Sequence, residues 1–219
     1  MNNHRDTEAQ RRATRIARLC ASVSLWLMVM PAIAQETPQA VFDRAVADFR
    51  AGRITESVAG FDNLVKLIPN YAPELWQRGI ALYYAGRFKD CQAQFESHRT
   101  VNPNDVENAA WHFLCVARAE SPEKARSALL PVGPDARVPM RQVYEMFRGK
   151  LTPQDVLAAG GSRPDGQFFA QLYLGLYYEA IGNKALALQH IKAAAADRFA
   201  AAGGYMHDVA KVHLAILQR

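Results

Sequence analysis

Cys91, His112 and Cys115 are the side chains best suited to chemistry in this sequence. His112 and Cys115 stand three residues apart, so on a helix they share one face, and with Cys91 brought alongside they would offer a metal two thiolates and an imidazole. A structural zinc site takes four ligands, and no fourth is apparent. A metal-dependent enzyme or metal-binding protein centred on Cys91, His112 and Cys115 is therefore the alternative reading, and the expected metal and cofactor content is none. Gly161-Ser162-Arg163 lacks the flanking glycine spacing of a nucleophile elbow. GGSRPDG at 160–166 has no following lysine and helix to cradle a phosphate, so it reads as a plain connector and the most flexible part of the chain after residue 34. His207 and His213, six apart, point to different sides of a helix, while His98 and His190 stand singly and read as solvated or at the edge of the core. No carboxylate pair is distinguished by its surroundings. The chain is expected not to be an enzyme.

Residues 1–34 have the layout of a signal peptide: arginines near the start, an apolar run over 19–30, and Ala32-Ile33-Ala34 before Gln35. This predicts cleavage after Ala34 and an exported protein, periplasmic or secreted. The apolar run is short of the ~20 residues that cross a bilayer as a helix, so the cleaved protein is expected to be envelope-associated without spanning a membrane. Cys20 stands at the start of that run, where a lipid-attachment cysteine would follow it. The formal charge of +5 falls to +2 without these residues, leaving 21 basic and 19 acidic side chains and no basic stripe for phosphates. A nucleic-acid partner is not expected. In an oxidising compartment Cys91 and Cys115 are a candidate disulfide, and the other reading makes each a small buried apolar side chain.

Apolar residues at helical spacing run through 41–51 and 54–67, and again through 75–85 and 88–99. The two pairs of helices repeat one another. Ala45 matches Gly79, Gly52 matches Gly86, Ser57 matches Cys91, Phe61 matches Phe95, and Pro69 matches Pro103, each 34 residues on. Gly52 and Gly86 follow the first helix of each pair, as a glycine after a helix often does, and the prolines close the second. A third unit over 106–132 is degraded: 109–120 is a good first helix, but the second is short and ends by about Leu130. Residues 133–167 fall outside the pattern and form an irregular insert with two helical pieces, over 138–147 and after Thr152. Periodicity returns over 168–200, where Gly175 and Gly182 keep the seven-residue separation of Gly79 and Gly86, and Ala187 keeps a small position on the second helix. Residues 203–219 are expected to cap the open end.

These glycines, small positions and closing prolines resemble the tetratricopeptide repeat (TPR) family. The predicted fold class is all-α: a helix-turn-helix solenoid of about three to four repeats (38–71, 72–105, 106–132 and 168–200) with an insert and a C-terminal capping helix. Asp48 and His98 depart from the family pattern. With its export signal, the chain is also loosely similar to periplasmic repeat adaptors of the new-lipoprotein-I type. The resemblance implies stacked helices that bring Cys91 and Cys115 together, and a concave groove lined by the first helices. Carried over, the groove positions are Phe42, Val46, Phe49 and Arg50 in the first unit, Trp76, Ile80, Tyr83 and Tyr84 in the second, and Trp111, Cys115 and Arg118 in the third. Trp and Tyr give contact area at small entropic cost, and Arg grips carboxylates. The implied function is an adaptor or scaffold that binds a protein or peptide segment along this strip. A homo-oligomer or assembly-chaperone module using 205–217 is a further alternative.

Overall fold

The computed structural model describes residues 36–219; the signal peptide and the cleavage after Ala34 expected from the sequence lie outside them. All regular structure among the described residues is helical. The chain runs α1 (Pro38–Arg50), α2 (Ile54–Leu67), a 3-10 turn (Pro69–Glu74), α3 (Trp76–Tyr84), α4 (Phe88–His98), α5 (Val106–Ala119), α6 (Pro122–Ser127), α7 (Met140–Phe147), α8 (Pro153–Gly160), α9 (Pro164–Ala180), α10 (Lys184–Ala194), a second 3-10 turn (Asp197–Phe199), α11 (Ala200–Gly203) and α12 (Tyr205–Leu217). No described helix is long and apolar enough to cross a membrane.

Three helical hairpins, α1–α2, α3–α4 and α9–α10, turn in the same way. Gly52, Gly86 and Gly182 take φ of 72°, 74° and 85°, the left-handed region that a side chain disfavours. Each glycine amide donates to the carbonyl three residues back, and the next amide to the one five back: Gly52 to Phe49 and Arg53 to Asp48, Gly86 to Tyr83 and Arg87 to Leu82, Gly182 to Glu179 and Asn183 to Tyr178. This is the Schellman termination, which satisfies helix carbonyls that would otherwise lack donors. The hairpins also close tightly. A Cβ on Gly79 would stand 2.7 Å from the Phe95 ring, and one on Gly175 would stand 2.6 Å from Ile191 Cγ1. In the first hairpin the close pair is Gly60 against Ala45, at 2.8 Å. Phe61, Phe95 and Ala187 are fully buried where the paired helices meet. Pro69 begins the first 3-10 turn, and Pro103 stands just before α5, which Asp105 caps by accepting from the Glu107 amide.

The region expected to be an irregular insert instead builds core. α6 ends at Ser127, and α7 takes the place beside α5, with Phe147 edge-on to Phe113 at 4.9 Å and in ring contact with Tyr177 at 5.5 Å. Met140, Val143, Met146, Phe147 and Val156 are all fully buried. The stretch at 160–166 is likewise not a loose connector. A Cβ on Gly166 would stand 2.2 Å from the Gly160 carbonyl oxygen, so two backbones meet here and only glycine fits. α9 then begins at Pro164, ahead of the expected 168.

α12 does not simply extend the end of the stack. It packs on α10 and also reaches back to α1. Met206, Val209, Ala210 and Val212 on it are buried, so the apolar face that an oligomerisation module would leave open is largely covered within the chain.

Candidate functional site

The face made by the first helices of the hairpins is where the predicted binding residues gather, and α12 lies across it. Phe49 is fully buried, its ring stacked on Tyr205 at 5.7 Å. Trp76 is half-buried and meets Tyr205 edge-on at 5.1 Å. Arg50 holds Asp208 through Nε at 2.8 Å and lies over the Tyr205 ring. Val46 and Ile80 are buried, and Phe42 packs edge-on against Phe61. Trp111, 1% exposed, stacks on Phe95 and meets Tyr83 edge-on, so it belongs to the core. The open aromatic groove expected from the sequence is thus filled by the chain's own last helix. The physical cause is the hydrophobic effect: an apolar strip this wide is stabilised by whichever apolar helix face can reach it.

Beyond this aromatic end lies a polar cluster. Tyr83, 3% exposed, donates from its hydroxyl to Glu179 Oε2 at 3.2 Å. Arg118 stands 3.5 Å from Glu179 and lies over the rings of Tyr83 and Phe88. The Tyr84 hydroxyl shares a hydrogen with His213 Nδ1 at 2.9 Å. His213 Nε2 sits 3.4 Å from Glu179 Oε2 without hydrogen-bond geometry. Burial pushes the Tyr83 and Tyr84 hydroxyls up and the His213 ring down, so all three are neutral near pH 7. Glu179 was not singled out from the sequence, and His213 was weighed there only against His207. A signal for Glu179 existed: it stands three residues before Gly182, as Phe49 and Tyr83 stand before Gly52 and Gly86. A carboxylate where two repeats carry rings is the anomaly that marks it.

Past this cluster the surface opens into a cleft of about 620 Å³, lined by Arg118, Glu179, Lys184, Leu188, Ile216 and Leu217. Leu188 and Ile216 are each 37% exposed there. Of the predicted groove residues, only Arg118 lines this open part.

The three side chains of the metal alternative are engaged with other groups. Cys91 and Cys115 are disulfide-bonded, with Cα atoms 5.9 Å apart, which ties α4 to α5 and removes both thiolates as ligands. His112 is 1% exposed, its Nε2 is 3.3 Å from Glu96, and burial holds its pKa below the ordinary histidine value. Among the described residues no group of three or more His, Cys, Asp or Glu side chains is placed to hold a metal ion. His98, His190 and His207 are also buried rather than solvated; their ring nitrogens bond to the Pro73 carbonyl, Gln171 and the Ala196 carbonyl. No family model matches the chain.

Proposed function

We propose that this chain is an exported, tetratricopeptide-like adaptor that binds a protein segment on the part of the first-helix face that α12 leaves open. The observation that carries the reading is α12 itself. The face already grips an amphipathic helix, by ring stacking at Phe49, by an edge-on ring contact at Trp76, by the Arg50–Asp208 ion pair, and by the Tyr84–His213 hydrogen bond. A surface with this combination of rings and arginine is chemically suited to a helical or extended peptide. Three hairpins that close on equivalent left-handed glycines support the repeat part of the reading. The Cys91–Cys115 disulfide supports an oxidising, exported setting.

The partner segment would lie in the cleft beside the end of α12, with aliphatic side chains on Leu188 and Ile216 and a carboxylate facing Arg118 and Lys184. Binding rather than catalysis is the role this implies. The test is a crosslinking capture from cell envelope with the mature chain, comparing wild type with Leu188→Asp/Ile216→Asp. Both positions are exposed, so the helical circular dichroism should be unchanged while captured proteins are lost. Capture of the same proteins by both forms would remove the cleft as the docking surface.

A further inference from the structure

Ile216 is shared by two clefts. One is the Leu188–Ile216 cleft; the other, of about 170 Å³, lies between the end of α1, the start of α2 and α12, and is lined by Arg50, Gly52, Ile54, Lys211, Ala215 and Arg219 among others. The two clefts sit at equivalent hairpin turns. Gly182 lines the first and Gly52 the second, each the left-handed glycine of its turn, and a Cβ on either would meet nothing within 4 Å. The end of α12 therefore joins the turn of the first hairpin to that of the last.

The charge on this surface is one-sided. Arg118 and Lys184 line the first cleft, and Arg50, Lys211 and Arg219 the second; Glu179 is the one carboxylate among the described residues that line them. Glu179 is engaged by Arg118 and the Tyr83 hydroxyl, and Asp208 takes up Arg50. Lys211 has only Asp197, 3.9 Å away and 94% exposed, where water screens the pair. Lys184 and Arg219 stand in no ion pair among the described residues. Lys184 and Leu188 stand four apart on α10, and Lys211 and Ala215 four apart on α12, so on each helix a cation and an apolar side chain share one face. Cations without a fixed counter-charge thus border exposed aliphatic surface on Leu188 and Ile216.

We propose that the two clefts together bind one partner segment that crosses Ile216, aliphatic at its centre and acidic at both ends. One acidic end faces Arg118 and Lys184, the other faces Lys211 and Arg219, and the aliphatic centre covers Leu188 and Ile216. Charge complementarity selects this occupant over a neutral or basic one, since a like charge set against these cations would be repelled. An apolar patch rimmed by charge is also the composition of a docking surface. The adaptor reading supplies the first cleft; the second cleft and the doubly acidic partner go beyond that reading while resting on it.

The probe is a fluorescein-labelled decapeptide, EEALLALLEE, titrated with the oxidised chain from Gln35 onward at pH 7.5 and physiological ionic strength and read by fluorescence anisotropy, with QQALLALLQQ as its neutral counterpart. The acidic peptide is expected to bind at least tenfold more tightly than the neutral one. Lys211→Glu/Arg219→Glu is expected to weaken it at least fivefold, whereas Lys66→Glu/Lys150→Glu, the same change of net charge at exposed positions that line neither cleft, should leave it within twofold. Should the first variant fail to fold, Lys211→Gln/Arg219→Gln takes its place with an expected loss of at least threefold. Equal affinities for the two peptides overturn the proposal, as does no binding of the acidic one at millimolar concentration. An equal loss in both charge-reversal variants overturns it too, by reducing the effect to net charge. If Leu188→Asp/Ile216→Asp abolishes binding while Lys211→Glu/Arg219→Glu leaves it unchanged, the first cleft and the adaptor reading stand and the second cleft falls; no loss in either removes both. Binding of the chain to phosphatidylglycerol vesicles that Lys211→Glu/Arg219→Glu abolishes, with no preference between the peptides, would assign the surface to lipid and overturn the proposal.

Discussion

Replacing Tyr205 by phenylalanine should make the protein more stable. The Tyr205 ring is wedged between Phe49, stacked at 5.7 Å, and Trp76, edge-on at 5.1 Å. Its hydroxyl oxygen is buried and has no hydrogen-bond partner. Burying a hydroxyl without a bond costs about 1–3 kcal/mol on protein mutational scales, and Tyr205→Phe removes that cost while keeping both ring contacts. The expected gain is about 1 kcal/mol, or a rise in Tm of roughly 2–4 °C for a domain of this size. Tyr205→Ala should move the other way by about 3 kcal/mol, because the ring contacts go with the ring. The sign can be strengthened with pH. Burial raises the Tyr205 pKa above its ordinary value of 10.0, so the native state holds this proton after the unfolded chain has released it. Wild-type stability from this group is lost as pH rises past 10, and the phenylalanine variant escapes that loss. Thermal melts of the oxidised chain from Gln35 onward, followed by circular dichroism at pH 7.5 and pH 10.5, should show the variant ahead at both, and further ahead at the higher pH. A Tm for Tyr205→Phe lowered by 2 °C or more would refute the reasoning, since the hydroxyl would then be making a bond. Two unchanged variants would mean that α12 is not seated on Phe49.

Acid should destabilise the fold: burial lowers the pKa values of His112, His190 and His213 below 6.5, so the unfolded chain takes up their protons first, and stability is lost as pH falls below 6.5. Glu107 opposes this between its folded value of about 6 and the ordinary 4.5, so melts from pH 7 to pH 5 should show a net fall in Tm that steepens in Glu107→Gln, and a flat profile would refute the burial of the histidines. Gly79→Leu should cost on the order of 1–3 kcal/mol by driving a side chain into the Phe95 ring, measured by urea denaturation; an unchanged midpoint would show that α3 and α4 do not cross at this glycine. Reducing the Cys91–Cys115 bond releases a loop with a sequence separation of 24 and should lower stability by roughly 3 kcal/mol on the chain-entropy account, seen as a lower Tm with reductant that is absent in Cys91→Ser/Cys115→Ser.

What could be read from the sequence was whatever is encoded within a few residues. Gly52, Gly86 and Gly182 stand at equivalent points of a periodic pattern, and a left-handed helix terminus is a local property of a few consecutive residues. The helix start after Thr152 was legible for the same reason, since its cap is closed within three residues. Gly160 and Gly166 misled because glycine has two uses, freedom and close approach, and composition alone cannot tell them apart. The insert misled because loss of the 34-residue period says only that a unit is not a copy of its neighbours, not that it lacks a core; Phe147 finds Phe113 and Tyr177 outside any repeat register.

The place of α12 was the largest departure, and it follows from the same distinction. Its buried residues Met206, Val209, Ala210 and Val212 mark out an apolar face by spacing alone. Which surface that face meets depends on pairs such as Arg50 with Asp208, separated by 158 residues, and Tyr84 with His213, separated by 129. Such pairs leave no periodic trace in a single sequence. A strip carrying Phe49, Trp76 and Tyr84 is too apolar to stay uncovered in a monomer, so an apolar helix elsewhere in the chain is a competitor for any groove the repeat register implies. At the end of that helix the covering stops, and there Arg118 and Ile216 line the same open cleft.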